Sequence, residues 1–170
     1  MKQIYGDTIV RINKSIKRLS PMELKATIEV MKAKQPILYD FIWKLTDELS
    51  SKENITHLNY LFLFTVRCYE HCYGPLDEIN QISINVLLKK WKDVIEQARK
   101  HDNPTQMVNE LNRINHQPDM ADYLNEYLVE LNEGTISIRN NASTLIKIKF
   151  LYVFNILNGQ VKKNYPEPTD

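Results

Sequence analysis

The tightest grouping of chemically versatile side chains in this chain is Cys68-x-x-His71-Cys72. On a helix, positions i, i+3 and i+4 share a face, and thiolate and imidazole are zinc-type ligands. A tetrahedral site needs a fourth ligand, and the chain holds no further Cys. His57 lies fourteen residues before His71, about 21 Å away along a shared helix. His101 and His116 reach the group only through tertiary folding. The expectation is two thiols packed as small apolar groups, with His71 at a wetter edge and no resident metal or cofactor. A Cys68–Cys72 disulfide within a helix is disfavoured by its geometry. Cys68, His71 and Cys72 remain the starting point for a metal or small-molecule reading, with a pocket beside the neighbouring aromatics.

Catalytic signatures are sparse. The chain contains no Gly-x-Ser-x-Gly elbow, no phosphate loop, no Gly-x-Gly-x-x-Gly and no His-Glu-x-x-His. Its four glycines lie too far apart to cradle a phosphate. No Glu has a His three residues later, so the carboxylate–histidine pattern of di-metal bundles is missing. Glu70-His71 and His101-Asp102 are adjacent pairs, and adjacent helical positions do not face each other. The sequence therefore leans away from an enzyme.

Charge is more informative than any of these motifs. The total is 22 Lys+Arg against 21 Asp+Glu, a net +1. That balance disfavours a general nucleic-acid or anionic-lipid binder. Locally the charges separate. From Ile114 to Ile138 there is no Lys or Arg, and the acids are Asp119, Asp122, Glu126, Glu130 and Glu133. Asp122, Glu126, Glu130 and Glu133 fall at i, i+4, i+8 and i+11, one stripe of a helix. From Ile136 to Pro166 there is no acid, and the bases are Arg139, Lys147, Lys149, Lys162 and Lys163. Two antiparallel neighbours with these charges attract each other. The acidic stripe is also the leading candidate for an interaction surface. A second basic row, Arg11, Lys14 and Arg18, lies opposite Ile9, Ile12, Ile16 and Leu19 on the first helix. It is a solvated face, or the footprint of a weak nucleic-acid contact.

The elements that position these residues read as helices. Ser20-Pro21-Met22-Glu23 is a capping box with Pro at the first helical position. Asn103-Pro104 repeats the logic, and Ser50 with Glu53 offers a third box. Gly74, Gly134 and Gly159 each follow an apolar-periodic segment and read as helix stops. Leu24, Ile28 and Met31 mark a second helix; Leu38, Phe41, Ile42, Leu45 and Leu49 mark a third, beginning near Pro36. The stretch from Lys52 to Tyr73 is apolar nearly all round and aromatic-rich, which places it at the centre of the fold. Ile84, Leu87, Leu88, Trp91, Val94, Ile95 and Ala98 outline a fifth helix. Met107, Leu111 and Ile114 outline a sixth, and Met120, Leu124, Tyr127, Leu128 and Leu131 a seventh.

The C-terminal part reads two ways. Ile146-Lys147-Ile148-Lys149-Phe150 alternates like a strand, so residues 135–154 could form a β-hairpin. Leu145, Ile148, Tyr152 and Ile156 also keep helical spacing. No Gly/Ser linker or repeat divides the chain. The expected architecture is all-α: one domain over residues 1–163, a bundle of seven to eight helices around the aromatic-rich one, and a frayed tail from 164. The most apolar stretch, Leu58 to Val66, is too short for a bilayer span. The N-terminal residues carry no signal-peptide pattern, so the expected compartment is the cytoplasm of a bacterium. The function these features favour is a non-catalytic protein-interaction module, with self-association, such as a homodimer, among its partners.

Overall fold

Helix begins where the sequence supplies a cap, and the first clear case is Ser20. The computed structural model describes residues 3–43, 52–86, 88–89, 117–133 and 140–164. Helix α1 spans Gly6–Lys17, α2 Pro21–Lys34, α3 Pro36–Trp43 and α4 Lys52–Tyr73. A short helical stretch, α5, covers 81–86. Helices α6 and α7 span Pro118–Glu133 and Asn140–Asn164. Among the described residues there is no strand. At the start of α2 the Glu23 backbone donates to Ser20 Oγ at 3.3 Å, and the Ser20 backbone donates to Glu23 Oε2 at 2.8 Å. Both orphan donors of the first turn are thereby satisfied. The Ser20 hydroxyl also donates to the Glu23 carboxylate, and these bonds hold its carboxyl below its ordinary value.

The chain divides into two compact units, Lys2–Ile79 and Asn80–Asp170. In the first, α4 is the axis: α1 and α2 both pack on it, and α2 packs on α3. Leu58, Leu61, Phe62, Leu63, Phe64, Val66, Cys68 and Tyr69 are all buried, covering every direction around the helix. Tyr39 ties three helices together. Its ring meets Phe62 edge-on at 5.2 Å and Trp43 at 5.6 Å. Its hydroxyl donates to Asn59 Oδ1 at 3.0 Å, and Lys32 Nζ lies 4.7 Å above the ring. On the α1 side, the Tyr60 hydroxyl donates to Asn13 Oδ1 at 2.7 Å. The central tyrosines thus keep their rings dry and give their hydroxyls a partner.

Two features close this unit. Gly74 adopts φ 84°, and its N–H bonds the Glu70 carbonyl at 2.9 Å. A side chain with a Cβ is disfavoured there, so Gly74 ends α4 as its position suggests. The chain then passes through 74–79 without regular structure. Gln35, fully buried between α2 and α3, holds that passage with both ends of its amide. Its Nε2 donates to the Asp77 carbonyl at 2.9 Å, and its Oε1 accepts from the Ile79 N–H at 3.0 Å. Backbone groups that no helix pairs are satisfied this way.

In the second unit, Asn80 caps α5 by accepting the Ser83 N–H at 2.9 Å. Helices α6 and α7 pack on each other. Met120, Ala121, Leu124 and Leu128 form the buried face of α6. The β-hairpin alternative is not supported, because residues 140–154 are helical. The burial explains why. Alternation requires Ile146, Ile148 and Phe150 inside with both lysines outside. Instead Lys149 is buried together with Ile146 and Phe150 while Ile148 is only half-buried, and every residue from 149 to 158 is buried, so this part of α7 is covered all round. Gly159 is not a stop either: α7 runs through it to Asn164. Val161 is 2% exposed, and burying it beyond the glycine outweighs the roughly 0.5–1 kcal/mol that Gly costs inside a helix.

Other expectations fall outside the described residues. They are the Ser50 and Asn103-Pro104 caps, the third helix beyond Trp43, the fifth beyond Lys89, the sixth helix, the Gly134 stop and the tail after Asn164.

Candidate functional site

The Cys68, His71 and Cys72 positions share the C-terminal part of α4 but not one environment. Cys68 is fully buried, Cys72 is half-buried and His71 is exposed. Burial pushes the Cys68 thiol well above its ordinary value, with the neighbouring Cys72 adding to the effect. A thiol held protonated is a poor nucleophile and a poor metal ligand. His71 Nε2 meets the guanidinium of Arg11 on α1. The lone pair a metal would need on that nitrogen is therefore already taken by a cation. Among the described residues, no group of three or more His, Cys, Asp and Glu side chains is placed to hold a metal ion.

The basic row on α1 is exposed. Arg11, Lys14 and Arg18 line a shallow depression of about 380 Å³ together with Asp7, Val10 and Ser15. Ser15 turns its hydroxyl inward to the Ile12 carbonyl, 2.7 Å away. Lys14 and Arg18 make no ion pair among the described residues. Val10 stands half out of the surface at the rim, 50% exposed.

The acidic stripe lies on α6. Asp122, Glu126 and Glu130 are all exposed. The side chain of Glu133, the fourth member, lies outside the described residues. Tyr123 and Tyr127, half-buried on the same helix, stack at 6.2 Å and brace the neighbouring turns. Val129 is 52% exposed beside Glu130. Of the expected counter-charges on α7, Lys147 is half-buried, and its amine is pulled down by burial and pushed up by the charge of Asp122. Asp122 is thus one point of attraction between these two helices. Glu126 and Glu130 make no ion pair among the described residues.

Lys149 departs from its expected place in a solvated basic face. It is 2% exposed, and burial brings its amine down to about 8. Arg139 lies outside the described residues, as do the side chains of Lys162 and Lys163. The C-terminal block is thus no continuous basic face among the described side chains.

No protein family, curated protein or solved structure matches this chain. Its functional reading rests on its own surfaces. No helix among the described residues is long and apolar enough to cross a membrane.

One surface escaped the sequence reading. Met22 and Val30 on α2 are 81% and 56% exposed, and Ala26 and Ala33 lie exposed on the same face. The signal was present in the residues. Apolar side chains at 22, 26, 30 and 33 follow helical spacing opposite Leu24, Ile28 and Met31. A helix apolar on two faces has one to spare.

Proposed function

We propose that this protein is a non-catalytic helical interaction module that docks a basic partner on the acidic face of α6. Residues 1–163 act as one domain in this reading, in the cytoplasm of a bacterium. The observation that carries it is the exposure of Asp122, Glu126 and Glu130 at four-residue intervals, the latter two making no ion pair among the described residues. Like charges four residues apart destabilise a helix by about 0.2–0.5 kcal/mol per pair. A fold has no need of such a row. A partner with matching bases does, because complementary charge speeds encounter and fixes register.

The test is affinity capture from a bacterial extract with the wild type and with a D122N/E126Q/E130Q variant. The expected result is a set of basic proteins retained by the wild type, released by high salt and missing from the variant's eluate. Identical eluates from both baits would defeat the reading.

A further inference from the structure

We propose that the exposed basic face of α1 is the docking site for the acidic face of α6 on a second copy of this chain. The inference rests on the interaction-module reading and names the partner. Both halves of the contact are present in the same molecule. Arg11, Lys14 and Arg18 span seven residues, about 10 Å of helix, and Asp122, Glu126 and Glu130 span eight, about 12 Å. Three cations and three anions are therefore matched in number and in length. Each row carries an exposed valine beside it, Val10 on α1 and Val129 on α6. An apolar contact between charged pairs helps exclude water from the interface.

Further observations favour a second copy over other anionic partners. Arg11 is held by His71 before any partner arrives, so less side-chain freedom is lost on docking. The net charge of +1 gives two copies little mutual repulsion, leaving local complementarity to act. Asp7 lines the same depression, one turn before Arg11. Its carboxylate repels an acidic helix at that end, so the contact centres on the stretch from Arg11 to Arg18. The two surfaces differ, so the contact is heterologous: it closes into a ring or a doubly exchanged dimer, or continues as a chain.

The contact is weak and sensitive to salt, since exposed pairs are screened. It is tested by sedimentation velocity on the full chain at low salt over a range of concentrations. One variant carries Lys14→Glu and Arg18→Glu, leaving Arg11 alone because its contact with His71 belongs to the fold. A second carries Glu126→Lys and Glu130→Lys. Far-UV circular dichroism and melting temperature check that both fold, and the neutral variants K14Q/R18Q and E126Q/E130Q repeat the test should either fail. The wild type should associate reversibly, and high salt should dissociate it. Each charge-reversed variant should associate about tenfold more weakly, or not at all. An equimolar mixture of the two should recover association, because the reversed faces complement each other.

A wild type that stays monomeric at every concentration overturns the proposal. So does a mixture that fails to recover association. A monomer that binds duplex DNA through Lys14 and Arg18 overturns it too, and assigns the basic face to nucleic acid. If the wild type is monomeric but its captured proteins still depend on Glu126 and Glu130, self-docking alone falls and the reading of α6 stands.

Discussion

Replacing Lys149 with Met is expected to abolish a rise in stability that the wild type shows between about pH 8 and pH 10.5. The amine is buried in α7 and titrates at about 8, against 10.5 for an ordinary lysine. That interval is worth at most about 3 kcal/mol, gained by the folded wild type as the pH rises through it. The sign follows from proton binding. Between about 8 and 10.5 the unfolded chain holds the proton that the folded chain has released, so stability rises with pH across that window. Below it, both states are protonated and the penalty is present in full. Met fills a similar volume and carries no charge. Chemical denaturation of both proteins from pH 7 to pH 10.5 checks this. The difference between the two proteins should be constant near pH 7 and shift in the wild type's favour above pH 8. A pH-independent difference would show that the amine is well solvated where it sits.

A larger effect is expected from Phe62→Ala. Phe62 is fully buried on α4 and takes the edge of the Tyr39 ring at 5.2 Å. Truncating a buried Phe costs about 3–5 kcal/mol, the sum of lost transfer and an unfilled cavity. For a chain of this length, that lowers the melting temperature by about 10 °C. Tyr39 also joins α2 to α3 through Lys32 and Trp43, so the loss is not local to α4. Phe62→Leu, which keeps most of the volume, should lose far less. Thermal unfolding of the three proteins decides it, and a change of only a degree or two for the alanine variant would remove α4 from the centre of its unit.

The sequence was most legible where local physics decides the outcome. A run apolar on all sides, ending at Gly74, has one stable placement, and α4 spans Lys52–Tyr73 as that pattern suggests. Ser20, Pro21 and Glu23 satisfy one another within four residues, and the box forms. Legibility fell where distant neighbours decide. Lys149 alternates with apolar residues and looks solvated on a strand, but it opens the stretch of α7, residues 149–158, that is buried all round. Gly159 looks like a stop, yet the burial of Val161 continues the helix past it.

The charged rows show the same division. Their spacing is a property of the sequence. Whether they are neutralised depends on how α6 is turned against α7, which periodicity does not contain. That rotation brings Asp122 towards Lys147 and leaves Glu126 and Glu130 exposed. The pairing of Arg11 with His71 was equally invisible, since it joins residues sixty positions apart. It links two features the sequence presented separately, the basic row and the Cys-His-Cys group.

Carboxyl footprinting, read by mass spectrometry on dilute protein and on the complex captured from extract, bears most directly on the docking role of α6. Asp122, Glu126 and Glu130 should be modified readily in the dilute protein and become protected in the complex, while Glu23 and Glu29 on α2 stay equally reactive in both. Equal modification of the α6 carboxylates in the two samples would contradict that role.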